Sequence, residues 1–180
     1  HLSEHLKAAR LVRARVPAHV PVLQSIFDPL FQLRILAGAH WHDHRRDCPE
    51  ALSIALAALT ERTRRIVGLF REAGVDGIFL AVQHAGAHES PGDSFFTMGL
   101  PEGLSCLAAA GPDSLNLVHL HGEGLPAALL DAFPGTTVHF AFDANPALDE
   151  GRRAGPEVLL SGGMAPSELA SLTAETVAAE

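Results

Sequence analysis

This sequence predicts a parallel α/β fold, on three observations. Five short runs, at 20–27, 78–82, 115–121, 137–142 and 158–161, are hydrophobic almost continuously rather than at alternate positions, the pattern of strands covered on both faces of a sheet. Helical sequence separates them, and the spacing from one to the next is roughly 20 to 50 residues, as βα units require. Neither an internal repeat nor a low-complexity stretch interrupts the rhythm.

Taken in order, residues 2–15 place Leu2, Leu6, Ala9 and Val12 at helical spacing among charges, and Val16-Pro17 ends the pattern before the first strand. A polar segment then precedes a long helix over 49–73. Pro49 suits its first position, Glu50 favours the positive end of the dipole, and Gly74 caps the far end. Leu52, Leu56, Leu59, Ile66 and Phe70 form its core face. After the second strand a helix is expected from about Pro101 to Gly111. Further helices are expected over 125–133, after Asn145-Pro146 and after Pro166.

The chain has 180 residues, 47% of them hydrophobic, enough for a core and within the range of one domain. Its 21 acidic against 13 basic residues give a formal charge of −8, which argues against a nucleic-acid partner. Cys48 and Cys106 lack CxxC spacing, and no signal-like or membrane-length apolar run occurs, so a cytoplasmic setting without a membrane partner is expected. No GxGxxG follows the first strand and no GxxxxGK[ST] is present, so dinucleotide and P-loop nucleotide binding lose support. With no tyrosine, the chain offers no phenol as proton donor. Composition does not choose between a doubly wound sheet and a (β/α)8 barrel, which typically needs about 250 residues.

In either architecture the chemistry gathers beyond the carboxyl ends of the strands. The residues there are Asp28, then Gln83 and His84, then His119, His121 and Glu123, then Asp143, and Ser161. Asp28, His84 and His121 are the candidate catalytic groups, with Gln83, Glu123 and Asp143 as substrate-binding partners. His119 and His121 are two apart on one strand, so both side chains point to one face with Cα atoms about 6.5–7 Å apart. Two imidazoles so placed can share a metal ion or bind a substrate carboxylate, and Glu123, Asp143 or His84 could supply a third ligand. The His40-Trp41-His42-Asp43-His44 run lies in the polar segment, where alternate histidines more often serve no specific purpose.

Four phrases, Val20-Pro21-Val22-Leu23, the 72–80 run with Gln83-His84-Ala85-Gly86, His119-Leu120-His121-Gly122, and Gly162-Gly163-Met164-Ala165-Pro166, make the chain resemble the uroporphyrinogen decarboxylase superfamily across nearly its whole length. That resemblance implies a TIM-type (β/α)8 barrel, of which these residues would cover about five βα units, with the first strands and the final strand and helices lacking. It also implies decarboxylation of a carboxylated tetrapyrrole without a cofactor, the protein acting as a possible homodimer. Two departures stand against this: the family tyrosine falls near Ile35, and the family serine falls at Gln83. A sister branch of cobamide-dependent methyltransferases binds zinc through His-x-Cys and passes methyl groups to thiols such as coenzyme M. By that resemblance His119 and His121 would be zinc ligands, histidine standing where those enzymes have cysteine. A third alternative is a non-catalytic barrel that binds a tetrapyrrole or corrinoid.

Overall fold

The computed structural model describes residues 1–86, 95–145, 150, 159–162 and 172–173. Its order begins with α1 (Leu2–Arg15), β1 (Leu23–Phe27), α2 (Pro29–Ala37), α3 (Trp41–Asp47) and α4 (Pro49–Glu72). It continues with β2 (Gly77–Val82), α5 (Leu100–Ala108), β3 (Leu117–Leu120), β4 (Thr137–His139) and β5 (Leu159–Ser161). The five strands form one parallel sheet in the order β1-β2-β3-β4-β5. A strictly sequential order has no switch point of the doubly wound kind.

The sheet's two faces have different neighbours. Ile78, Leu80, Val82, Val118, Leu120 and Val138 are buried and belong to one core cluster with Leu30, Leu33, Leu52, Leu56, Leu59, Val67 and Leu107 from the helices. The alternate residues Ser25, Phe27, Phe79, Leu117, Thr137 and Leu159 lie on the opposite face, half-buried or exposed. Thus the helices cover one face, and the other is open among the described residues.

Local sequence explains the ends of the helices. Asp28 caps α2 by accepting the Phe31 N–H at 3.0 Å, with Pro29 in the first turn. Pro49 opens α4, whose buried Leu52, Leu56, Leu59, Val67 and Phe70 follow helical spacing. At the other end of the sheet, the Arg13 guanidinium donates to the Val16, Pro17 and Val20 carbonyls and pairs with Asp76 at 2.8 Å. The same carboxylate accepts the Val22 N–H at 2.7 Å, so one knot ties the entry of β1 to the loop before β2. Gly77 is required where β2 meets β3, because a Cβ there would collide with the Leu115 carbonyl.

The edge of β1 is partly masked. Asp28, in phase with Gln24 and Ile26, donates its N–H to Ala81 of β2, so the carbonyls of Ser25 and Phe27 point away from the sheet. The side-chain amide of Gln24 donates to the first at 2.9 Å and that of Gln32 to the second at 2.8 Å.

Several elements depart from the sequence expectation. Residues 29–37, to which the sequence reading gave no element, and 41–47, in the segment read as polar, are helical. Residues 125–133 hold only a single 3-10 turn over Ala127–Leu129, and Pro134 keeps any helix from running past Phe133. The first strand starts at Leu23 rather than 20, and β4 ends at His139 rather than 142. The helices expected after Asn145-Pro146 and after Pro166 fall largely outside the described residues. No helix among the described residues is long and apolar enough to cross a membrane.

Candidate functional site

Register decides which side chains meet on the open face. Phe27 is paired with Ala81, Ala81 with His119, and His119 with His139, and paired residues in a parallel sheet point the same way. His139 is in turn paired with Ser161. One row at the carboxyl ends of the strands therefore reads Phe27, Ala81, His119, His139, Ser161.

His119 and His139 are joined by a hydrogen bond of 2.7 Å between their Nδ1 atoms. Only one of those nitrogens can carry the proton, so the donor ring has a lone pair on Nε2 and the acceptor ring has its proton there. Phe79 stacks on His119 with centroids 5.6 Å apart and planes 26° apart, and the His121 ring lies 5.9 Å away. Burial holds the His119 pKa below the usual 6.5, helped by the neighbouring His139 and His121, and burial likewise lowers His139. Both rings are thus neutral at pH 7.

The loop carrying His121 is pinned from beneath. His121 donates its N–H to the Val82 carbonyl at 2.9 Å, and Gly122 takes φ +111°, a conformation that favours glycine. Fully buried Asn145 accepts the Leu125 N–H at 2.9 Å and donates to the Gly122 and Ala141 carbonyls at 3.1 and 2.8 Å. It staples the loop after β3 to the loop after β4.

The other candidates occupy different places. Asp28 is 2% exposed and turns toward the helix layer, away from the histidine row. Desolvation pushes its carboxyl up to about 6, although the N–H groups of Phe31, Gln83 and Leu30 oppose the shift. Its Oδ2 has no hydrogen-bond partner. Nearby Cys106 is buried, and its thiol is pushed up to about 12 by burial, then by Glu102 and Asp28. Gln83 and His84 are half-buried after β2, and the His84 ring lies 5.4 Å from Phe31. Glu123 and Asp143 are exposed on the loops after β3 and β4. His40 and His44 lie at the surface on and beside α3, rings 5.9 Å apart.

Sequence reading missed His139 and Asn145. The sequence signal for His139 was only its place within the strand expected over 137–142; its register with His119 comes from the sheet.

Metal binding can be tested on this geometry. Two imidazoles on one tetrahedral zinc, with bonds of about 2.0–2.1 Å, hold their nitrogens about 3.3 Å apart, whereas His119 and His139 are at hydrogen-bonding distance. Among the described residues no group of three His, Cys, Asp or Glu is arranged to hold a metal ion. As arranged, His119 and His139 form a proton-sharing pair, and the His121 ring stands beside them, 5.9 Å from that of His119.

No protein-family model matches the chain, and no curated protein matches it either. Among solved structures it is similar to a methyltransferase from Methanosarcina mazei, with a TM-score of 0.64 at 19% identity over 89% of this chain. The chain spans 58% of that protein's length. The likeness is one of fold: a mixed α/β structure with a parallel five-stranded sheet.

Proposed function

We propose that this chain forms part of a barrel-type methyltransferase, which passes a methyl group from a donor such as a methyl-corrinoid to a protic acceptor such as a thiol. The observation that carries the reading is the His119–His139 pair on the open face, at the carboxyl ends of parallel strands in sequential order. The methyltransferase of similar fold supports it. Sequential order and helices on a single face suit the wall of a (β/α)8 barrel, in which the open face would line the interior.

The chemistry asks for a base. Methyl transfer to a thiol forms a carbon–sulfur bond and releases the thiol proton, while the donor leaves with the electron pair of its broken bond to carbon. The ring that donates its Nδ1–H to the other has its Nε2 lone pair available, and it accepts that proton. His121 stands beside the pair, placed to orient the acceptor. Lowered histidine pKa values keep the base unprotonated at neutral pH, so the rate should rise with pH through a midpoint below 6.5.

Decarboxylation of a tetrapyrrole has less support: the solved structure of similar fold is a methyltransferase, and Ile35 and Gln83 stand at the family's tyrosine and serine. The test is methyl transfer from methylcobalamin to coenzyme M, together with elemental analysis for zinc. Turnover by a zinc-free preparation, lost in His119→Ala, is expected. Stoichiometric zinc lost in a His119→Ala/His121→Ala variant would make a zinc ion, and not a histidine base, the activator of the acceptor. Release of carbon dioxide from a carboxylated porphyrinogen, without methyl transfer, would overturn the proposal.

A further inference from the structure

Between α2, α3 and α4, on the helix side of the sheet and away from the histidine row, lies an open slot of about 380 Å³, a size that suits a small ligand. Its floor is buried Leu33 and Leu52, and its lip is Leu36, which is 73% exposed. The walls carry methyl groups only: Ala37 on α2, and Ala51 and Ala55 one turn apart on α4. Larger side chains at these three positions would close the gap, and an exposed leucine at its edge leaves apolar surface in water.

His44 and Cys48 complete the lining. The Cys48 N–H donates to the His44 carbonyl at 2.8 Å, and the Leu52 N–H donates to the Cys48 carbonyl at 3.1 Å. Residues 44, 48 and 52 therefore follow one another at one-turn intervals across the junction of α3 and α4, and all three open onto the slot. Cys48 is exposed and free, whereas Cys106 is buried. A nucleophile and a base thus stand at the mouth of a recess lined with hydrocarbon. Among the described residues that line it, none is an amide or a permanent cation that would hold a polar ligand.

We infer that Cys48 accepts an acyl group from a soluble thioester, with the acyl chain lying in the slot and His44 serving as the base. The Cys48 sulfur attacks the carbonyl carbon and forms a new carbon–sulfur bond. The donor's carbon–sulfur bond breaks, and the thiol proton passes through the imidazole to the departing thiolate. Each CH₂ of the chain that leaves water for the slot favours the complex by up to about fourfold. The slot is separate from the open face of the sheet, so the inference stands or falls independently of the reaction there.

The test incubates the full chain with the acetyl, butyryl and hexanoyl thioesters of N-acetylcysteamine and follows the mass of the protein. Acylation at Cys48, reversed by hydroxylamine and absent from Cys48→Ser, is expected to quicken about 2- to 4-fold per added CH₂. Ala51→Leu should flatten that dependence by filling the slot, and Ile54→Ala, on α4 but outside the slot, should leave it intact. His44→Gln should slow all three donors alike, by about 10²-fold, because it removes the base and leaves the walls. Ala51 and His44 are exposed, so both variants are expected to fold, which circular dichroism checks. The inference is overturned by label on Cys106 instead of Cys48, by no label at all, or by rates independent of chain length. A chain-length dependence that survives both Ala51→Leu and Ala55→Leu, or a His44→Gln variant as fast as the parent, overturns it as well.

Discussion

His119, His121 and His139 sit on and just beyond a parallel sheet, whereas His40, His42 and His44 sit on or beside a seven-residue helix at the surface. In the first set strand backbones fix each ring's position, and the rings touch one another and Phe79. In the second set the neighbours are Asp43, Arg46 and Asp47, whose ion pairs are more than half exposed. Desolvation changes the chemistry of an imidazole, and high-dielectric water screens what a surface cluster could do. Spacing in the sequence is the same, two residues apart, and the rings stand 5.9 Å apart in His40–His44 and in His119–His121 alike; the sheet adds the bond from His119 to His139 on the next strand.

The sharpest way to break that comparison is substitution within each set. His119→Ala should lower methyl-transfer kcat/KM by about 10²- to 10⁴-fold, and His42→Ala should leave it unchanged. Comparable losses, measured side by side, would show that the open face is not where the reaction occurs.

Asp28 sharpens the contrast because it too follows a strand, yet it faces the helices. Its folded-state pKa is raised from 3.8 to about 6, so the folded protein binds more protons than the unfolded chain between those values. Stability is therefore lost as pH rises through that window. Asp28→Asn should raise stability by about 3 kcal/mol at pH 8 and much less at pH 4, as read by denaturant unfolding. Its catalytic rate should change little; a loss comparable to that of His119→Ala would return Asp28 to the chemistry.

Asn145→Ala should cost about 1–3 kcal/mol, because it strips partners from buried backbone groups. It should also weaken acceptor binding by loosening the loop that carries His121; an unchanged KM would limit Asn145 to stability. The smallest effect is expected on α3, where Arg46→Ala should leave the melting temperature within experimental error, since its partners are solvated.

How much of this was legible in the sequence varied with the element. The α4 helix was readable from the spacing of Leu52, Leu56 and Leu59, and β2 from its unbroken apolar run. By contrast α2 was hidden because Leu30, Leu33, Ile35 and Leu36 make it apolar on more than one side, leaving no clean period. Its cap signal, Asp28-Pro29, was available but was read as part of a strand-end site. The His119 and His121 pairing followed from strand alternation, but the bond to His139 depends on register between two strands, which one strand's pattern does not contain. Asp28 was read at the carboxyl end of β1, where it stands, but its role as the cap of α2 was not.

The masked edge of β1 has a further consequence. Two sheets that stick together edge to edge must exchange donors and acceptors reciprocally. With the Ser25 and Phe27 carbonyls already engaged by Gln24 and Gln32, that edge offers a neighbouring copy little to accept its N–H groups. Two glutamines thus occupy acceptors that any strand laid along β1 would need, whether it came from a second copy or from the same protein.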